Sequence, residues 1–425
     1  MIRRVAVVSV LVALAAAAGA GAAWSPAVRV SAPGTLSALR VGADARGNTT
    51  FAWLRRSGDK IVVTLRRRSA QGRLGRLVTR SAPGRPKVML GLAVAPGGSA
   101  VAIWSAQGKT GPVRIRALSL SANGAPGPVI NVTDVASRRS PWPQVVVDEN
   151  GDAVLMWTQN VGKSVAVMAR RWPAHGGLGP VTDVSAATPS TGFNPPSVAI
   201  DADGDALFAW EASDGHTNVR IVTRPWPHGA SPGASAVVSR PGDYSQKPHV
   251  VLAADGSGVV AWGASPHDRA AVVLHARRTS SSGVLGPIRE LGIGDFNAGL
   301  ALAPDGTVFA TGSFDIDPEG EVRAATLSPA DALVTTENSF TSDYQAVQVA
   351  ARPGGALLVW SQRGAASVIA RSLSPAGELG APERVSPPRR PTREPAIAIG
   401  PGGAAQVAWV GGRGSGRVVE TSAGP

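Results

Sequence analysis

The residues able to do chemistry in this chain sit in a few short clusters set among apolar runs. Asp214-Gly215-His216 and His267-Asp268 each put an imidazole beside a carboxylate, and His249 falls between them in sequence. Such groups ligate zinc or manganese, or serve as general acid and base. Asp315, Asp317 and Glu319 alternate along one stretch, with Glu321 following, and carboxylate oxygens at that spacing suit calcium. A third group is aromatic: Trp142, Phe193, Tyr244, Phe296 and Tyr344. Cations interleave with it, chiefly Arg138, Arg139 and Lys247, with Arg85, Lys87, Arg240, Arg389, Arg390 and Arg393 beyond them. Aromatic faces beside cations hold a sugar or an anionic polymer by stacking and charge. Plain accounts exist for all three groups. Polar clusters also arise as solvated loops, and aromatics as plugs between packed elements.

A repeat positions these clusters. Turn glycines at Gly47, Gly98, Gly151, Gly204, Gly256, Gly354 and Gly403 each precede a tryptophan by six residues: Trp53, Trp104, Trp157, Trp210, Trp262, Trp360 and Trp409. In the one double-width gap Asp305-Gly306 supplies the turn, and Gly312 takes the tryptophan slot. That makes eight repeats with a period of about 50 residues, the signature of a propeller or a solenoid. The indoles belong to the core, because one repeat cannot bury its own faces and must stack on its neighbours. Trp172 and Trp226, at the ends of third runs, are expected to pack in the outer blade.

Each period holds four strand-like runs. The first two, such as Val198-Ala199-Ile200 and Ala206 to Trp210, are apolar throughout and read as strands covered on both faces. The third alternates (Val219-Arg220-Ile221-Val222-Thr223-Arg224), a Gly-rich turn follows, and the fourth is short and polar. Burial is therefore expected to fall from the first strand to the fourth. The last repeat stops after its third run, Arg417-Val418-Val419-Glu420, in a turn at 421–425. The chain supplies the missing run near its start, at Pro26-Ala27-Val28-Arg29-Val30-Ser31. The expected architecture is all-β: a single eight-bladed β-propeller of four-stranded antiparallel blades over residues 24–425, with residues 24–34 completing the last blade.

The hairpin from Val198 through Asp201-Ala202-Asp203-Gly204-Asp205 to Ala209 resembles the NHL type of propeller repeat, as does Val145 to Met156. The likeness departs at the next slot, where NHL repeats carry aspartate and this chain carries tryptophan. The sialidase Asp-box fits less well, since its aromatic follows the glycine much sooner. The NHL resemblance implies a secreted bacterial propeller and no particular chemistry. Asp201-x-Asp203-Gly204-Asp205 looks calcium-like, yet turn chemistry alone accounts for it. His175 and His228, in matching third-to-fourth turns, read as structural.

Residues 1–23 read as a signal peptide: Arg3 and Arg4, an apolar stretch from Val5 to Ala18, then small residues before Trp24. The expected product is a soluble, secreted or envelope monomer with no membrane span. Cysteine is absent, so neither disulfides nor thiolate sites contribute. The net charge of +13 is spread along the chain without a basic tail. No nucleotide loop, zincin helix or nucleophile elbow occurs, and export argues against nucleic acid.

On this topology the reactive clusters share the face made by blade-to-blade connections and second-to-third-strand loops. The expected function is non-catalytic binding of an extracellular ligand, such as an envelope polysaccharide or polyanion, or a protein. The alternatives are a metal-assisted lyase or hydrolase of polyanionic sugars, using the histidine–carboxylate cluster, and a purely structural surface protein. No cofactor is required, with calcium or a transition metal as the only candidates.

Overall fold

The computed structural model describes residues 24–58, 60–82, 89–107, 113–133, 142–161, 164–186, 190, 194–213, 219–265, 272–294, 296–313, 321–336, 340–341, 347–362, 366–388 and 390–424. The strands form eight antiparallel sheets, each a blade built on three or four strands consecutive in sequence. In the blade of Trp210, Ser197–Ile200 pairs with Ala206–Ser213, which pairs with Val219–Trp226, which pairs with Ala236–Val237. The chain is an eight-bladed β-propeller.

Closure is as the termini require. Val28–Arg29 pairs with the final strand, Val418–Gly424, setting Val28 opposite Thr421 and Arg29 opposite Glu420. The bonds Ser25 N–H to Ala423 O and Gly34 N–H to Arg417 O extend the seam on both sides, both at 2.8 Å. Residues expected to turn at the C-terminus continue this last strand, opposite Ala405 to Ala408. The Gln406 side chain holds them by donating to Thr421 Oγ1 and the Ser422 carbonyl. In the sixth blade the fourth position is split, since Leu333–Thr335 and Phe340–Thr341 both pair with Glu321–Leu327.

The recurring tryptophans are core. Six are at most 1% exposed and Trp360 is 3% exposed, each packed within an apolar cluster. Most of these clusters span two adjacent blades, as where Met156 and Val167 of one meet Phe208 and Trp210 of the next. Gly312 occupies its slot because no side chain fits: a Cβ there would lie 2.0 Å from the Gly294 carbonyl oxygen. Trp226 packs with Phe208 as expected, ring centroids 6.1 Å apart, and Trp172 is partly buried.

Burial does not fall steadily outward. The second strands are the most enclosed, Gly258–Ser265 and Ala405–Gly411 being buried throughout. The innermost strands are half-buried, as in Gln144–Val147, because eight of them surround an axial channel that water can enter.

A side-chain device recurs between blades. Arg66, Arg170, Arg224 and Arg277 on third strands donate Nε to a turn glycine carbonyl nine residues on. Each also donates Nη1 to a valine carbonyl at the end of the preceding blade: Val30, Val132, Val184 and Val238, at 2.8–3.1 Å. The next residue, Ser31, Thr133, Ser185 or Ser239, is buried and takes a third-strand N–H on its hydroxyl. Part of the positive charge is thus structural, as charge-assisted bonds within and between blades.

Candidate functional site

The eight innermost strands each contribute one residue to a common level around the axis. That residue pairs with the position immediately before the tryptophan slot: Arg40 with Ala52, Gln144 with Met156, His249 with Ala261, Gln348 with Val359. In the other four blades the equivalents are Gly91, Ser197, Gly299 and Ala396. Large and small residues therefore alternate around the ring. Converging strands leave room for a long side chain only at every second position. A Cβ on Gly91 would press within 2.9 Å of Ile103, and one on Gly299 within 2.9 Å of Thr311 and 3.0 Å of the Val347 carbonyl.

Space-filling explains the alternation but not the chemistry. All four large members are polar, although the channel walls below them are not. Arg40, Gln144, His249 and Gln348 line a cavity of about 830 Å³ at the channel mouth, together with Glu394 and Pro395. Further along the axis the walls become Val94, Val147, Val198, Ile200, Leu252 and Leu302, around a cavity of about 490 Å³. A polar mouth over an apolar floor is the usual arrangement of a small-ligand site.

Irregular backbone aims the ring. The strand register slips between Ser37 and Arg40, between Gln246 and His249, and between Arg393 and Ala396. Within these bulges Ala38, Lys247 and Glu394 hold φ of 54°, 51° and 51°, and Trp142, two residues before Gln144, holds 39°. Non-glycine residues in this region are strained, and such strain collects at binding sites. Side chains hold the bulges in place. Buried Glu211 accepts from Lys247 N–H at 2.8 Å and from Asn194 Nδ2 at 2.7 Å. Glu394 Oε2 accepts from Leu39 N–H at 3.2 Å, joining the last blade to the first beside Arg40.

The electrostatics separate the four members. Arg40 is open to channel water yet enclosed by protein, and that desolvation lowers its pKa while Glu394 nearby raises it. A guanidinium in such a place stays charged near neutrality. It donates Nη1 to the Leu39 carbonyl at 2.9 Å and makes no ion pair among the described residues. Burial, helped by the charge of Lys247, drops His249 from 6.5 to about 4, so its imidazole is neutral. Gln144 donates its amide to the Pro196 carbonyl, which leaves its oxygen as an acceptor.

Of the residues singled out in the sequence, His249 stands in the ring. Lys247 forms its bulge, and its cationic influence reaches His249. Tyr244 begins an innermost strand and Trp142 precedes one by two residues; both are partly exposed, and neither lines the cavity. Tyr244 pairs with Ser265, three residues beyond Trp262, and Phe296 with Ser313, one beyond Gly312, so the aromatics share no single level. Phe193, Tyr344, Arg138, Arg139, Asp214, His216, His267, Asp268, Asp315, Asp317 and Glu319 lie outside the described residues. Arg390 is committed elsewhere, to Glu420 at 2.6 Å.

Arg40, Gln144, Gln348 and Glu394 escaped the sequence reading. A regular offset marks the ring, thirteen residues before the tryptophan slot in seven blades and twelve before Trp360. The seventh hairpin is one residue shorter because Pro353-Gly354 closes it between Arg352 and Gly355.

No family model matches the chain, and no curated protein sequence matches it. Many solved structures do. One is the BP39L lectin from Burkholderia pseudomallei, at TM-score 0.54 and 10% identity, covering 84% of this chain and all of the lectin. Another is the polysaccharide lyase Uly1, at TM-score 0.49 and 10% identity, covering 97% of this chain and 94% of the lyase. A third, the β-propeller domain of the Trilobed protease from Pyrococcus furiosus, has TM-score 0.45 and 9% identity, covering 84% of this chain and all of the domain. The likeness is one of fold. No helix among the described residues is long and apolar enough to cross a membrane.

Proposed function

We propose that this propeller is an exported binding protein that takes an acidic carbohydrate at the mouth of its axial channel. One observation carries the reading: the only large side chains at the ring level are polar, and the one cation among them, Arg40, has no ion-pair partner among the described residues. A guanidinium binds a carboxylate or sulfate in a two-pronged contact. The glutamine amides, the neutral His249 and Glu394 offer donors and acceptors for the hydroxyls around it. Trp142 and Tyr244, partly exposed near the starts of innermost strands, would offer ring faces to a longer chain leaving the channel. A carbohydrate ligand also agrees with the lectin among the similar structures.

A lyase working in this cavity would need a side chain there to abstract a proton. An imidazole whose pKa lies near 4 is a weak base for that task, which favours binding over turnover. A glycan array on the protein from residue 24 onward tests the reading. Retention should concentrate on oligosaccharides carrying uronate or sulfate. Retention on neutral sugars alone, or cleavage of the acidic ones, would overturn it.

A further inference from the structure

On the opposite face, the turns between first and second strands carry a second constellation. In the first blade Asp44 is fully satisfied: its carboxylate takes Arg46 N–H, Asn48 N–H and Nδ2, and Arg67 Nη2. Arg67 closes the site as an ion pair. The third blade repeats the geometry with different chemistry. Asp148 stands for Asp44, Asp152 replaces Asn48, and Arg171 stands for Arg67.

Arg171 has turned away from the acid. Its Nη1 donates to the Gly204 carbonyl at 2.8 Å and its Nη2 to the Trp226 carbonyl at 2.5 Å, with the guanidinium 4.9 Å from the Trp226 ring centroid. Asp148 Oδ1 takes the Asp152 N–H at 2.8 Å, but Oδ2 is left buried with no hydrogen-bond partner. The residue is only 2% exposed, and an unpaired oxygen there is costly.

What faces that oxygen is an imidazole. His228, from the third-to-fourth turn of the next blade, offers a ring nitrogen that lies with carboxylate oxygens of Asp148 and Asp152 within 4.8 Å of one another. No two of them make an ion pair, so one bridging ion would satisfy all three. Gly204 cradles the gap: a Cβ there would lie 2.9 Å from Asp148 Oδ2 and 2.5 Å from His228 Nδ1. Backbone contacts fix the members, with Asp152 Oδ1 taking Ala174 N–H at 2.7 Å and Asp205 Oδ1 taking His228 N–H at 2.6 Å. With His228 Nδ1–H donating to the Asp203 carbonyl at 3.1 Å, the kind of outer contact that orients a ligating imidazole, Nε2 is the ring nitrogen left for an ion. The surroundings are acidic, since Asp148, Asp152, Asp201 and Asp205 all act on the single charge of Arg171.

We propose that Asp148, Asp152 and His228 bind one divalent transition ion of the zinc or manganese type, stapling the third blade to the fourth. Two carboxylates and an imidazole match that class better than calcium, which takes oxygen ligands throughout. The test is calorimetric titration of chelator-stripped protein with zinc, manganese and calcium chlorides, alongside His228→Ala and Asp152→Asn. Asp152→Asn recreates the first-blade arrangement, so its fold is expected to hold. Wild type should bind one equivalent of zinc or manganese and melt at a higher temperature with it, calcium binding more weakly. Each variant should melt like metal-free wild type and lose both effects. No saturable zinc or manganese binding, or binding undiminished in both variants, would overturn the proposal.

Discussion

Arg224 Nη1 donates to the carbonyl of Val184 at 2.9 Å, reaching from the third strand of one blade to the end of the blade before it. The same guanidinium donates Nε to the Gly233 carbonyl at 2.7 Å, so one side chain fastens its own Gly-rich turn and the neighbouring blade together. Arg224→Ala orphans two carbonyls and should cost about 1–3 kcal/mol. Arg224→Lys should recover little, because a point ammonium cannot reproduce the planar fork. Urea unfolding of the three proteins checks this. A lysine variant as stable as wild type would show that charge rather than geometry matters.

Trp210 fills the interface between the third and fourth blades and is fully buried. Trp210→Ala should destabilise by about 3–5 kcal/mol through the cavity it leaves. A change under about 1 kcal/mol in the same melts would place the indole at the surface instead.

The closing seam can be loosened by one atom. Ser31 Oγ accepts the buried Val419 N–H at 2.8 Å. Ser31→Ala leaves that N–H unpaired, at a cost of about 1–3 kcal/mol. Hydrogen exchange should show the loss first in residues 24–34 and 418–424. Uniform protection loss across all blades would contradict a local seam.

The turns and tryptophans were legible because both signals are local: a glycine with positive φ and an indole six residues on. Blade number and closure followed from counting them and matching Pro26–Ser31 to the missing run. The ring was not legible. Arg40, Gln144, His249 and Gln348 are about 100 residues apart in sequence, one in every second repeat, and each looks like an ordinary polar residue at the start of an apolar strand. Only the sheet register brings them to one level. The bulges at Lys247 and Glu394 were hidden too, because each precedes a proline and reads as the end of a loop. The approach of His228 to an unpartnered Asp148 oxygen depends on Arg171 turning aside, which no spacing records.

Acid should weaken the fold in a defined window. Burial holds His249 near 4 and lowers His275 below its usual 6.5, so both fold as neutral imidazoles. Unfolded chains take up protons near 6.5, so the stabilisation is complete above that pH and is lost as pH falls towards 4. For His249 alone the loss is up to about 3 kcal/mol. Urea melts between pH 7.5 and 4.5 should show it, and His249→Gln should flatten the slope. An unchanged slope would mean that the ring imidazole is not desolvated.

The most direct measurement is calorimetric binding of a short oligogalacturonate to wild type and to Arg40→Gln, at low and raised salt. Wild type should bind one equivalent, more weakly as salt rises. Arg40→Gln should bind about 10-fold or more weakly while keeping the wild-type melt, as expected for losing a charge-assisted contact. Equal binding by both proteins would contradict a site at the channel mouth.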